Sequence, residues 1–183
     1  MKKIIFLDRD GVINIDKSYL YLWENFEFTY RAIDALKLLK KANFDFIIIT
    51  NQSGIARGFF TEKEYKSLTK KLLNYLKKKD IDILDIFYCP HHPQGKIKEF
   101  SIRCDCRKPN PGMLFNAQRK YDLDLGRSFI IGDKPEDMLA GKNAGINNRL
   151  LIKSRYFNTS DKMLFTNQIF ENLYDCAKSI ISN

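Results

Sequence analysis

Residues 4–14 read IIFLDRDGVIN, and this stretch decides the fold of the 183-residue chain. An uninterrupted apolar run ends in two acids, Asp8 and Asp10, and a glycine follows them. Such a run is typical of a strand that is buried on both faces of a parallel sheet. Two neighbouring carboxylates at its end would repel each other unless a cation or a proton lay between them. We therefore predict a cation-dependent site that contains both aspartates.

The rest of the chain alternates between strand-like and helix-like patterns. Further apolar runs predict strands at 44–49, 83–88, 128–131 and 149–152, the last of which we take as the final strand. Helical spacing or helix-start signals predict helices over 32–42, from Thr61, over 111–121, from 137 to 144 and within 162–181. This alternation predicts an α/β fold with a Rossmann-like parallel sheet flanked by helices, in one domain over 1–183.

Composition narrows the class of protein. Apolar residues make up 44% of the chain and charged residues 29%, which is ordinary for a soluble globular protein. No apolar run approaches the roughly 18 residues of a membrane span, and no cleavage pattern follows Met1, so we expect a cytoplasmic protein without a membrane partner. The net charge of +9 favours anionic partners, either nucleic acid or phosphorylated small molecules. Part of this positive charge comes from the lysines at 77–79, and a solvated helix end explains that run of lysines more simply than an anionic partner does.

Polar residues that suit phosphate follow several predicted strands. The second strand ends in Thr50-Asn51-Gln52-Ser53-Gly54, the fourth is followed by Asp133, and Lys108 lies in a loop between them. Because the carboxyl ends of parallel strands share one sheet edge, we expect these groups to converge with Asp8 and Asp10. The carboxylates would hold Mg²⁺, and one of them could attack phosphorus while Thr50 and Lys108 stabilise the charge.

The loop over 14–25 could close over a ligand at that edge, although an ordinary surface loop is an equal alternative. Its polar and aromatic residues are candidates for substrate binding: Asp16, Lys17, Ser18 and Tyr19.

Three of the four cysteines lie close to histidines. Cys89-Pro90-His91 and Cys104-Asp105-Cys106 together offer three thiolates and one imidazole, which is the ligand set of a closed structural zinc site. Spacing alone does not decide between His91 and His92 as the fourth ligand. Cys176 lies in an apolar periodic segment and is predicted to be a buried small hydrophobe.

These motifs resemble those of the haloacid dehalogenase superfamily of phosphohydrolases. The resemblance rests on Asp8-Arg9-Asp10-Gly11-Val12, Thr50 after a strand, Lys108, and Gly132-Asp133 with Asp137, in this order along almost the whole chain. It implies a parallel-sheet fold and an aspartyl-phosphate intermediate. The zinc loop over 89–106 is similar to that of a subfamily without a large cap domain, the histidinol-phosphatase-like enzymes, and favours His91 as the ligand.

The resemblance also implies a role for each motif residue. Asp8 would be the nucleophile and Asp10 the general acid and base. Mg²⁺ would bind to Asp8, to Asp10 through its backbone carbonyl and to Asp133, while the role of Asp137 stays less certain. Arg107 would hold a distal phosphate. The expected substrate-binding residues are Asp16, Lys17, Ser18, Tyr19, Asn51, Gln52, Ser53, Arg107, Lys108 and Lys134.

The resemblance favours a monomeric phosphatase of a small sugar bisphosphate. The long segment over 92–103 supports this substrate class over histidinol phosphate, whose phosphatases have a similar but shorter zinc loop. A zinc-ribbon module that binds nucleic acid is a third hypothesis, prompted by the positive charge and the Cys₃His set. It would leave Asp8, Asp10 and Asp133 unexplained.

Overall fold

The computed structural model describes residues 3–155 and 165–182. These residues form one six-stranded sheet in which all strands run parallel. The strands are β1 Lys3–Leu7, β2 Phe44–Asn51, β3 Ile83–Cys89, β4 Phe129–Gly132, β5 Asn148–Ile152 and β6 Gln168–Phe170. The α-helices are α1 Ala32–Lys41, α2 Gly54–Arg57, α3 Glu62–Lys77, α4 Gly112–Tyr121, α5 Pro135–Asn143 and α6 Leu173–Ser182. The predicted α/β fold with a parallel sheet flanked by helices is confirmed.

The order of the strands places the functional edge of the sheet. The sheet runs β3-β2-β1-β4-β5-β6, so the chain reverses its direction of growth between β1 and β4. Ligands of open parallel sheets bind outside the carboxyl ends of the strands at this reversal. Asp8 directly follows β1 and Asp133 directly follows β4, and the Asp8 amide donates to the Ile131 carbonyl at 2.9 Å. Both acids therefore lie at the reversal.

Residues 4–7 of β1 are apolar because helices pack against both faces of the sheet. Ile5 and Leu7 belong to a buried cluster with side chains of α1 and α6. Ile4 and Phe6 point to the other face and pack with side chains of α4 and α5. Successive residues of a strand face opposite sides, so a strand with helices on both sides has no position for a polar residue. Cys176 is fully buried in α6, as predicted.

The end of the chain differs from the prediction. The sequence predicted a last strand at 149–152 and a helix within 162–181, of which 162–164 lie outside the described residues. The structure contains a sixth strand, β6, which pairs with β5 from Gln168 to Phe170, and α6 begins only at Leu173. The prediction of 149–152 as the final strand was wrong, because three residues of an edge strand are too few to show an alternating pattern. The predicted terminal helix is present and extends one residue beyond the predicted segment.

Two further features of the described residues limit the architecture. As far as the structure describes them, the segments that join the strands contain only helices, turns, bends and isolated bridges, so no second sheet is inserted within 8–147. None of the described helices has both the length and the apolar character that crossing a membrane requires.

The start of α3 shows how the sequence sets a helix boundary. The Thr61 hydroxyl accepts a hydrogen bond from the Glu64 amide at 3.2 Å, and the Glu64 carboxylate accepts from the Thr61 amide at 2.7 Å. This capping box satisfies two backbone groups that have no partner within the helix. It begins the helix in the register that buries Tyr65, Leu68 and Leu72.

We expect Thr61→Ala to lower the free energy of unfolding by about 1 kcal/mol, the usual cost of removing a helix cap. Thr61→Ser keeps the hydroxyl, so its loss of unfolding free energy should be less than about half of the loss in Thr61→Ala. Urea unfolding followed by circular dichroism measures both. An alanine variant as stable as the unsubstituted protein would show that this cap contributes nothing.

Candidate active site and metal centre

A polar cavity of about 230 Å³ opens at the carboxyl edge of the sheet. It lies beside the reversal between β1 and β4, where parallel sheets bind ligands. The residues that line it come from the four segments at the carboxyl ends of β1, β2, β3 and β4, namely Asp8, Asp10, Asp16, Ser18, Tyr19, Thr50, Asn51, Gln52, Ser53, Gly54, Arg107, Lys108, Lys134, Glu136 and Asp137. The structure thus brings together nearly all of the residues that the sequence predicted for the site.

Asp8 is the acid at the end of β1, and it is almost completely buried. Its Oδ1 atom accepts from the Arg9 amide at 2.8 Å and lies 3.0 Å from the Lys108 amine. Burial raises the pKa of Asp8 to about 6, although the Lys108 charge opposes this shift. Asp8 is therefore a poorly hydrated carboxylate that depends on a neighbouring cation for its ionisation.

Lys108 is a buried amine that bridges two acids. Its Nζ atom lies 3.0 Å from Asp8 and 2.5 Å from Asp137, and it donates to the Ile49 carbonyl at 3.0 Å. Burial alone would lower the pKa of Lys108, but Asp137 and Asp8 outweigh burial and raise that pKa. Asn51 fixes the backbone of Lys108 through two hydrogen bonds of 3.0 and 3.1 Å. The amine is thus held charged at a defined point beside Asp8.

Asp10 faces the same cavity, but its carboxylate is held by other side chains. The Arg9 guanidinium lies 2.8 Å from Oδ2, the Gln52 amide donates to Oδ2 at 3.0 Å, and the Asn14 amide donates to Oδ1 at 2.9 Å. Arg9 is itself 2% exposed. Gln52 also donates to the Thr50 hydroxyl at 2.8 Å, which connects the ends of β1 and β2. Asp10 is therefore fixed in one orientation by three donors.

Asp133 and Asp137 have different surroundings although they lie four residues apart. Asp137 accepts from the amides of Asp133 and Lys134 at 3.2 and 3.0 Å, in addition to its pair with Lys108. Neither carboxylate oxygen of Asp133 has a hydrogen-bond donor at ordinary distance among the described residues. Burial and the charge of Asp8 raise the pKa of Asp133 to about 8. A buried carboxylate without donors fits the role of a metal ligand, because a cation would replace its missing partners.

The three buried acids form one cluster that fits a divalent cation. Oxygen atoms of Asp8, Asp133 and Asp137 all lie within 4.8 Å of one another. Gly11 makes this approach possible, since a Cβ atom there would lie 2.1 Å from the Asp133 carboxylate, and its φ of +91° also favours glycine. The Asp10 side chain is not part of the cluster, so Asp10 would have to bind this cation through its backbone carbonyl.

The thiol and imidazole groups predicted for zinc lie together. Cys104 Sγ is 3.5 Å from Cys89 Sγ and 3.2 Å from Cys106 Sγ, and His91 Nδ1 is 3.3 Å from Cys106 Sγ. Tetrahedral coordination at the usual zinc–ligand lengths separates neighbouring donors by about 3.5–3.8 Å, so the group is close to a zinc cage. Hydrogen bonding from Cys89 lowers the pKa of the Cys106 thiol to about 5, which favours a thiolate there.

His91 is the histidine that the structure places in this cluster. His92 turns away: its Nε2 atom lies 2.9 Å from the Arg57 guanidinium, and its Nδ1 atom accepts from the Gln94 amide at 3.1 Å. Since Arg107 and Lys108 directly follow Cys106, the cluster lies at the base of the segment that carries both cations into the cavity.

The loop after β1 brings three of its four candidate residues to the cavity. Asp16, Ser18 and Tyr19 line it, and Asp16 accepts from Lys134 at 3.0 Å. Lys17 does not line the cavity, because its amine lies 3.0 Å from the Glu27 carboxylate outside it. Side chains of neighbouring loop residues point in different directions, so a contiguous run rarely contributes every member to a site.

Sequence reasoning gave no role to two residues of the site. Arg9 belongs to the first motif, but the motif does not indicate its burial or its pairing with Asp10. A charged residue between two aspartates was the available signal. Glu136 lines the cavity from the first turn of α5, and no pattern in the sequence distinguished it from an ordinary acidic helix start.

Comparison with known proteins yields the same family from sequence and from structure. Residues 105–173 match the HAD-hydrolase-like family model. The D-glycero-alpha-D-manno-heptose-1,7-bisphosphate 7-phosphatase of Photorhabdus laumondii is 46% identical over 170 residues, which cover 92% of this chain and 93% of that protein. The D-glycero-beta-D-manno-heptose-1,7-bisphosphate 7-phosphatase of Escherichia coli K12 is 43% identical over 176 residues, which cover 96% of this chain and 92% of that protein.

A solved structure supports the assignment. The D,D-heptose 1,7-bisphosphate phosphatase of B. bronchiseptica, complexed with magnesium and phosphate, superposes with a TM-score of 0.83 at 29% identity, covering 98% of both chains. The two sequence relatives are similar to this chain over nearly their whole length, and both are named as D-glycero-D-manno-heptose-1,7-bisphosphate 7-phosphatases, one for the alpha and one for the beta anomer. The chain therefore belongs to the D-glycero-D-manno-heptose-1,7-bisphosphate 7-phosphatase family of the haloacid dehalogenase superfamily.

Proposed function

We propose that this protein removes the 7-phosphate of D-glycero-D-manno-heptose 1,7-bisphosphate in a Mg²⁺-dependent reaction. The observation that carries the proposal is the buried group in which Lys108 lies between Asp8 and Asp137, with Asp133 beside them. Such a group joins a nucleophile to a cation that can hold the phosphoryl oxygens. The names of the sequence relatives support the heptose substrate.

The reaction would take two steps at phosphorus. The Arg9 amide and Lys108 hold Oδ1 of Asp8, so Oδ2 is the oxygen that we expect to attack phosphorus. As the bond from phosphorus to the C7 oxygen breaks, Asp10 gives its proton to that oxygen. Water then attacks the phosphorus of aspartyl-phosphate, Asp10 takes the proton of this water, and the Asp8 carboxylate leaves. The three donors around Asp10 would keep it in one place for both transfers.

Mg²⁺ would be held by the Asp8 and Asp133 carboxylates and by the backbone carbonyl of Asp10. The lack of a donor at ordinary hydrogen-bond distance from either Asp133 oxygen supports this assignment, as does the relative that was crystallised with magnesium and phosphate. The bound ion would neutralise charge on the phosphoryl oxygens and on the nucleophile. Asp137 would act through Lys108, because its own oxygens already accept from Lys108 and from two backbone amides.

Zinc would be structural in this protein. The cluster offers three thiolates and one imidazole at a spacing close to tetrahedral, from Cys89, His91, Cys104 and Cys106. Four protein ligands would leave no open position for a substrate. A folded zinc loop would fix the backbone just before Arg107 and Lys108 and so preorganise both cations.

The cationic wall of the cavity suits a substrate with two phosphates. Arg107 and Lys134 line the cavity in addition to Lys108, so one phosphate could lie at Lys108 while Arg107 holds the other. The polar and aromatic groups that would face the sugar also line the cavity, and they belong to Ser18, Tyr19, Asn51, Gln52 and Ser53. We propose that the chain works as a cytoplasmic, single-domain monomer and that its product enters the synthesis of ADP-heptose for lipopolysaccharide.

The test of this function is phosphate release with Mg²⁺ from three compounds under the same conditions. They are the α- and β-anomers of the heptose bisphosphate, which the names of the two relatives distinguish, and histidinol phosphate. We expect kcat/KM for one heptose anomer to exceed that for histidinol phosphate by at least about a hundredfold. A preference for histidinol phosphate would contradict the heptose assignment and keep the phosphatase chemistry.

We expect Asp8→Asn to reduce kcat by about three orders of magnitude or more, because an amide cannot form the acyl phosphate. Asp82→Asn is the matched control, since Asp82 is exposed and forms an ion pair with Lys40 away from the cavity. Steady-state phosphate release measures both variants. Substantial turnover by the Asp8 variant would exclude Asp8 as the nucleophile.

We expect protein purified without chelator to contain one zinc ion per chain, and Cys106→Ser to lose most of it. Cys176→Ala is the control, because Cys176 is buried in α6 away from the cluster and its loss should leave the zinc content unchanged. Elemental analysis after gel filtration gives the metal content. Zinc-free unsubstituted protein, or equal zinc in both variants, would contradict the zinc assignment.

A further inference from the structure

The turn at Ser18 and Tyr19 beside the cavity has an unusual backbone. Both residues lie in the left-handed region, with φ of 59° and 57°. Residues other than glycine, asparagine and aspartate seldom adopt this conformation, and two in succession are rarer still. Surrounding contacts must therefore hold the turn in place, and such strain is concentrated at functional sites.

The contacts that hold the turn come from residues distant in the chain. Arg155, three residues after β5, donates from one Nη2 atom to the Ser18 hydroxyl at 2.7 Å and to Asp16 Oδ1 at 3.3 Å. The same Asp16 oxygen accepts from the Ser18 amide at 2.8 Å. On the other side of the turn, the Tyr19 ring lies 4.4 Å from the Phe59 ring, measured between centroids. The turn is thus clamped between the connection after β5 and the segment after α2.

Asp16 extends this contact to the reacting groups. Its other oxygen, Oδ2, accepts from the Lys134 amine at 3.0 Å, and Lys134 lines the cavity. Asp16 is only 12% exposed, and the hydrogen bond from the Ser18 amide and the charges of Lys134 and Arg155 lower its pKa against the opposing effect of burial. Asp16 therefore stays ionised and accepts from two cations at once. Without Arg155, it would lose one of them and could move together with the turn.

We propose that Arg155 is a positioning residue that holds the turn at 16–19 against the cavity and thereby sets selectivity for a sugar bisphosphate over a small phosphate ester. Arg155 does not line the cavity, so it acts through Asp16 and Ser18. A substrate that fills the cavity would contact the turn, whereas a small ester needs only the groups around Asp8. The kinetic part of this proposal rests on the proposed phosphatase function.

The first measurement is hydrogen–deuterium exchange of the free enzyme, which does not depend on any substrate. In Arg155→Ala we expect faster exchange in peptides that cover 14–22, because the Ser18 amide loses its fixed acceptor. Arg155→Lys keeps the charge and should give an intermediate rate. Arg119→Ala is the matched control, because Arg119 is exposed on α4 and donates to Asn116. Exchange elsewhere should stay unchanged in all three.

The second measurement compares steady-state kinetics on the heptose bisphosphate and on para-nitrophenyl phosphate. In Arg155→Ala we expect KM for the bisphosphate to rise by about five- to tenfold, the range for losing an exposed charge-assisted hydrogen bond, with kcat within about twofold. The small ester should be cleaved as before. Arg155→Lys should recover part of the loss in KM.

Two results would overturn the positioning role. One is unchanged exchange over 14–22 in Arg155→Ala, which together with a raised KM would make Arg155 a direct substrate contact. The other is faster exchange throughout the protein, which would make Arg155 a general stability residue. If exchange changes as expected but the unsubstituted enzyme does not cleave the heptose bisphosphate, the proposed function fails and the positioning role stands.

Discussion

The burial of three neighbouring carboxylates beside the Lys108 amine is the constraint on which the site depends. Asp8 and Asp137 flank Lys108 at the edge of the sheet, Asp133 lies beside the two acids, and all four side chains are nearly inaccessible to water. Burying these carboxylates together is costly although Lys108 and Lys134 partly offset their charge, and the raised pKa values of Asp8 and Asp133 express this cost. A divalent cation would balance the group, and the anionic substrate would then meet a nucleophile whose charge is masked.

The fold serves to bring these groups to one point from distant parts of the chain. β1 and β4 are neighbours at the reversal of the sheet, so Asp8 and Asp133 meet although they are far apart in sequence. Gly11 lets the backbone after β1 approach Asp133, and Asn51 at the end of β2 holds the backbone of Lys108. The Cys₃His cluster lies just before Lys108, so a metal there would stabilise the loop that delivers the amine.

The sequence predicted the centre of this arrangement better than its surroundings. Buried strands with no polar residue and acids at their ends are direct consequences of two-sided burial, so Asp8, Asp133 and the order of strand and helix could be derived. Interactions between distant residues leave no such local pattern. The pairing of Arg9 with Asp10, the bridge from Lys108 to Asp137 and the outward direction of Lys17 depend on how loops pack in three dimensions. The short edge strand β6 was missed because pairing with β5, and not its own pattern, defines it.

The central claim is that Asp8 becomes phosphorylated during turnover. The most direct measurement is rapid acid quenching of the reaction with heptose bisphosphate and Mg²⁺, followed by mass spectrometry of the peptide that carries Asp8. We predict a phosphoryl group on Asp8 within the first turnover, and none when Mg²⁺ is omitted. Phosphate release in that turnover without any protein-bound phosphate, or with the phosphoryl group on another residue, would contradict the account.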